Sequence, residues 1–279
     1  MPFEIHAFLR DFFLKKVAFK IFIITLLSQS TISCTPQKLT QHNEIKLSTP
    51  ILSYPSTLFQ DSISLYFLNT PELSQIHYTT DGSDPTYISP IFRKKEAFTQ
   101  SVYLKAYAMC YPFIPSEMVE VEFLQAEPVE DIQEITLQPS PSEKYPGGGK
   151  ASLIDFEKGS LNFRENTWMG FDQPVIDVEF TFEKNRPVKE VILSSIQDHG
   201  SWIFLPEKIE VITPTDTVLS QWEIPTEAEA AKLRFLHIPL DDIEIRQLRI
   251  RITTLEKIPD WHPGAGHQPW LFVDEIIIK

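Results

Sequence analysis

From residue 62 to the end of the chain, short runs of residues alternate between apolar and polar, and turn-forming residues separate them. In the first half these runs are 62–68, 75–80, 102–108 and 118–123. In the second they are 175–182, 188–193, 207–212, 235–238 and 245–252, with a closing apolar run over 271–278. A period of two places alternate side chains on opposite faces, so each run reads as a strand with one covered face. The only helix-like piece is the short stretch 226–233. Asp81-Gly82 directly after a run is a hairpin-type turn signal, and Pro85 keeps the chain from resuming the ladder. The pattern predicts an all-β protein.

Composition divides the chain. Eight of the nine glycines and all five tryptophans follow residue 146, so the second half carries the unusual loops. Residues 127–134 are acidic and contain Pro128, and they read as a linker. The most conspicuous loop is 259–266, with two prolines, two glycines, Asp260, Trp261 and His262 just before the closing run. It is a rigid loop beside a strand, where a β-scaffold places ligand contacts.

The 279 residues carry a net charge of −13, which argues against nucleic acid and against adsorption to anionic lipid. Two cysteines, Cys34 and Cys110, make neither a disulfide framework nor a zinc site. Cys110 falls in an alternating run and reads as a small packed residue. Residues 1–33 have a basic n-region with Arg10, Lys15, Lys16 and Lys20, then the apolar run 21–27. This is the pattern of a secretory signal peptide. The zone 31–34 resembles a bacterial lipobox, with Thr31 and Ile32 departing from it and Cys34 at the lipidated position. Removing residues 1–33, with their four basic and two acidic side chains, leaves a mature net charge of −15. Residues 34–46 then form a tether, and the membrane is met only through the lipid anchor.

Residues 76–86, with Tyr78-Thr-Thr-Asp-Gly-Ser-Asp-Pro-Thr86, then 89–91, 104–108 and 115–116, resemble the chitobiase/β-hexosaminidase C-terminal-like domain. That resemblance spans most of 47–126 and implies a small immunoglobulin-like sandwich without catalytic residues. Asp81 and Asp84 read as turn-capping carboxylates. Residues 145–155, 159–164, 168–171, 197–206, 259–266 and 270–276 resemble the galactose-binding-like, discoidin (coagulation-factor type C) domain. The version at the C-terminus of bacterial family 20 β-hexosaminidases is the more similar one. It implies a jelly-roll sandwich over 135–279 that binds sugar and holds a structural calcium through Asp155 and Glu275. Here Phe156 stands where that family usually has glycine.

Aromatic rings stack on the C–H faces of sugars, and a few polar groups orient them. The candidate ligand contacts are Trp168, Asp198, His199, Asp260, Trp261 and His262, with ordering of the loops as the alternative use of the polar ones. Trp202 and Trp270 lead into apolar runs and read as core, and Trp222 reads as packing. A glycosidase needs two carboxylates across a cleft, and the related enzymes place them in a barrel of about 250 residues that this chain has no room for. The expectation is therefore a non-catalytic carbohydrate-binding accessory lipoprotein of the bacterial cell envelope, at the outer membrane or cell surface, with a glycan and a glycoside hydrolase as partners. The alternatives are a protein-docking lipoprotein subunit and a detached accessory part of a β-hexosaminidase system.

Overall fold

A computed structural model describes residues 45–70, 72–223 and 231–279, and Lys46–Lys279 form one compact unit. The leader, Cys34 and the tether up to residue 44 lie outside the described residues, as do 224–230 and the side chain of Trp222.

The fold is all-β, a small sandwich followed by a jelly roll. In the first sandwich, β1 (Ile51–Ser53), β3 (Ile63–Leu68) and β5 (Glu96–Phe98) form one sheet. β2 (Leu58–Phe59), β7 (Val119–Gln125), β6 (Val102–Met109) and β4 (Gln75–Thr79) form the other, in that order. Alternate residues meet between the sheets: Ile63 and Leu65 from β3, Leu104, Ala106 and Ala108 from β6, and Phe123 from β7. Gly82 takes φ +80° at the turn after β4. Asp81 Oδ1 accepts from the Ser83 N–H at 3.0 Å and from its hydroxyl at 2.6 Å, which is the capping role expected of it.

Two long strands dominate the second sandwich, β10 (Val175–Gln197) and β13 (Lys232–Thr253), paired antiparallel almost end to end. Each joins two runs that the sequence pattern separates, and register shifts between Thr181/Arg186 and Val188/Glu190 mark the irregularity inside each. The first part of β10 pairs with β8 (Ile132–Gln138), and its last part with β14 (Leu271–Ile278), which β9 (Met169–Phe171) flanks. The last part of β13 pairs with β11 (Lys208–Ile212), followed by β12 (Val218–Glu223). Residues of both halves, Phe180, Ile250 and Val211 with Leu193, Ile238 and Ile276, share one buried cluster, so the sheet folds over on itself. Strand β8 begins at Ile132, inside the segment read as a linker, because Ile135 enters this core. The helix-like stretch is strand from Lys232 onward, held by the Gln197–Lys232 pairing.

Arg251 makes a two-pronged bond to Asp177 on the adjacent strand at 2.8 Å from both Nε and Nη2. Their register across β10 and β13 puts the two side chains opposite one another.

The sandwiches meet along an apolar seam of Leu58, Leu124 and Ala126 from the first and Ile192, Phe235 and Ile277 from the second, with Phe156 packed against it. Strand geometry explains the sorting. Phe59 and Phe123 point into the first core, so their neighbours Leu58 and Leu124 point out to the seam. Likewise Val191 and Leu193 enter the jelly-roll core while Ile192 faces outward.

Candidate functional site: two tied loops with exposed tryptophans

Because β10 and β14 run antiparallel side by side, the end of one lies next to the start of the other. The loops that leave β10 and enter β14 therefore meet. The first, 198–204, is a tight reversal: Asp198 and Ile203 exchange backbone bonds of 3.0 and 2.9 Å around a short 3-10 turn at His199–Ser201. Trp202 takes φ +64°, a left-handed conformation uncommon for a bulky side chain. The second loop is closed at its base by Ile258 and His267, with the Ile258 N–H donating to the His267 carbonyl at 2.8 Å.

Three bonds tie the loops together. His262 Nε2 donates to the His199 carbonyl at 2.9 Å. The Trp270 N–H donates to the Trp202 carbonyl and the Phe204 N–H to the Trp270 carbonyl, each at 2.9 Å. Gly264 lies so close beneath the Trp202 indole that a Cβ there would sit 2.9 Å from Cε2. The Trp202 ring leans on His267, centroids 5.1 Å apart, and Trp261 meets the edge of His199 at 5.0 Å. The outcome is a fixed pair of loops presenting two half-exposed indoles, Trp202 at 38% and Trp261 at 44%.

The six ligand candidates part company here. Trp261 and Asp260 are exposed on the second loop, and Asp198 is partly exposed at the start of the first. His262 is buried and both of its nitrogens are engaged, Nδ1 accepting from the Gly264 N–H at 3.0 Å. His199 is buried too, stacked on Phe204 at 4.6 Å and bonded to the Gln197 amide at 2.9 Å. Both imidazoles hold the loops in shape.

Trp168 is corrected outright: it is 1% exposed. It directly precedes Met169, which pairs with Val273, so its ring sits in the layer beside Asp274. Its Nε1 donates to the Ser160 carbonyl at 2.9 Å, and Gly159 packs against it where any Cβ would come within 2.4 Å of the indole. Lys158 lies over the same ring, its ammonium 4.4 Å from the centroid, and pairs with buried Asp274 at 2.7 Å. Trp202, read from the sequence as core, is the aromatic that reasoning missed. The apolar residues after it are buried as expected, but the left-handed turn at Trp202 itself throws its ring outward.

Asp155 and Glu275 do meet. Glu275 is 1% exposed, and burial, followed by a hydrogen bond to Asp155 and the charges of Asp274 and Asp155, pushes its pKa up to about 9. Its Oε1 has no hydrogen-bond partner. Phe156, in the position usually held by glycine, adopts φ +65° and rests on the seam between the sandwiches. Two facing carboxylates, one with an orphaned buried oxygen, are a donor set suited to a hard divalent cation completed by main-chain carbonyls. Among the described residues no group of three or more His, Cys, Asp and Glu side chains converges on a metal site, so side chains alone would not complete it.

The structure thus defines a two-sandwich, all-β protein with a fixed aromatic loop face at one end of its jelly roll. Comparison with known proteins adds one family match: the family described as Fn3 associated aligns with residues 68–118, within the first sandwich. No curated protein matches the chain. Among solved structures, the CBM32-1 and CBM32-2 domains of Clostridium perfringens ZmpB in complex with GalNAc align at 15% identity and TM-score 0.35. That alignment covers 53% of this chain and 34% of the other, so about a third of the longer protein is matched. A fucose-binding module of Streptococcus pneumoniae aligns at 12% identity and TM-score 0.35, covering 56% and 98%. The lectin-binding domain of lectinolysin complexed with Lewis b gives 9% identity and TM-score 0.37, covering 55% and 96%.

Proposed function

We propose that this protein is a non-catalytic carbohydrate-binding lipoprotein of the bacterial cell envelope, with the two tied loops of the jelly roll as its glycan face. The observation that carries this reading is the pair of half-exposed indoles, Trp202 and Trp261, held on loops that are cross-bonded to each other. An exposed tryptophan costs solvation, and fixing it in place removes the entropy a mobile ring would lose on binding. Such rings suit the C–H faces of a pyranose, and Asp198 and Asp260 beside them accept bonds from its hydroxyls. Asp155 and Glu275, with main-chain carbonyls, would hold a structural calcium that neutralises the buried Glu275 carboxylate.

The leader pattern supports export, and Cys34 would carry the lipid that keeps the module at the outer membrane or cell surface. In that position it would hold glycan near a partner glycoside hydrolase. Screening the full chain on a glycan array tests the binding claim, and the absence of any bound glycan would defeat it. Metabolic labelling with palmitate, compared with Cys34→Ala, tests the anchor.

One observation favours protein docking as a second reading. The first sandwich exposes Leu73, Tyr87, Ile88 and Tyr111, each more than two-thirds accessible. A protein captured through those residues, and not through Trp202 or Trp261, would move the function to the first sandwich.

A further inference from the structure

At the seam one histidine joins the two sandwiches through both ring nitrogens. His237 on β13 places Nε2 2.8 Å from Glu122 Oε1 on β7 of the first sandwich. Its Nδ1 lies 2.9 Å from Glu190 Oε1 on β10 of the second. A neutral imidazole has a single N–H, and an ionised carboxylate has none to give, so both bonds exist together only with the ring protonated. Two residues along the same strand faces lie Leu124 and Phe235, which belong to the apolar seam. The histidine therefore borders the seam, partly open to water.

We propose that His237 is a pH-gated clamp: its imidazolium fastens the first sandwich to the jelly roll through Glu122 and Glu190, and loss of the proton weakens their docking. Other charged groups face it from the elements packed around it. From β7 and β6, Glu120 pairs with Lys105 and also faces Lys232 across the seam, each at 3.7 Å. Arg234, Tyr54 and Tyr103 line the same cleft. On the other side Lys189 pairs with Asp242 at 3.6 Å, and the backbone of Lys279 is bonded to that of Glu190. Histidine is the side-chain type whose charge ordinarily changes near neutral pH.

The hydrogen bond to Glu122 is the leading influence on the His237 pKa and raises it, against the opposing effect of burial and with further help from Glu190. A folded-state pKa above the ordinary value of 6.5 means the contribution is complete below that pH. It disappears as pH rises through the elevated value, because the folded state then gives up the extra proton. Docking is tightest in mildly acidic medium and weakens on the alkaline side.

Two measurements on the full chain test this. NMR titration of the His237 ring should give a pKa above 6.5 that falls toward 6.5 in Glu122→Gln. The amide signals of Leu124 and Phe235, on opposite sides of the seam, should follow the same curve and become flat in His237→Gln. The thermal midpoint should also drop more between pH 6 and 9 in the wild type than in His237→Gln. A wild-type His237 pKa at or below 6.5 overturns the clamp. So does an identical pH response of the midpoint in wild type and His237→Gln.

Discussion

Trp168 and Trp261 stand in similar company in the sequence, among glycines and polar residues, yet they have opposite fates. Trp168 is sealed under Gly159, with a lysine over its face and its N–H satisfied by a carbonyl. Trp261 sits on a loop whose interior is already filled by His199, His262 and Phe204, so its ring is left half in water. Local polarity does not decide burial. What decides it is whether a distant partner comes to the ring: Lys158 and Asp274 are 116 residues apart in sequence. One indole belongs to the stability of the jelly roll, and the other, with Trp202, to its surface chemistry.

That contrast can be broken from the stability side first. Trp168→Ala should destabilise the protein by about 3–5 kcal/mol, through lost transfer energy and the cavity left behind. Lys158→Met should cost a similar ~3–5 kcal/mol, because it strands the buried Asp274 carboxylate without its cation. Chemical denaturation reads both, and neither variant should alter glycan affinity in the fraction that remains folded. A smaller effect is expected at the neighbouring carboxylates. Calcium at about a hundredfold over its dissociation constant should add about 2.7 kcal/mol. Calorimetry in calcium and in chelator would register it as a raised midpoint, and Glu275→Gln should abolish the difference. On the exposed side, Trp202→Ala and Trp261→Ala should each cost less, about 1 kcal/mol, because their rings are only half covered.

The strands themselves were largely legible, because alternation survives wherever one face is covered and the other wet. It fails where both faces are covered. Leu58-Phe59, Phe123-Leu124 and Ile276-Ile277-Ile278 are unbroken apolar runs because one residue of each enters the seam and its neighbours enter a core. Those runs were the available signal for a joined pair of sandwiches. The continuity of β10 and β13 was hidden by the charged and proline-containing stretches near Pro187 and Pro239, where the pairing slips in register. At the candidate site, the loop 259–266 and the meeting of Asp155 with Glu275 were readable from the residues that carry the resemblance. The exposure of Trp202 was not, since it follows from a left-handed backbone angle at a non-glycine residue. The roles of His199 and His262 depend on bonds to Gln197 and to backbone in a separate loop, which no local pattern announces.

The central claim is that Trp202 and Trp261 together form a glycan platform distinct from the buried Trp168. Titration calorimetry with an array-identified glycan measures it directly, using wild type, Trp202→Ala, Trp261→Ala and the folded fraction of Trp168→Ala. The account predicts at least a tenfold rise in Kd, about 1.4 kcal/mol, for each exposed-tryptophan variant and no change for Trp168→Ala. Unchanged affinity in both Trp202→Ala and Trp261→Ala would contradict it.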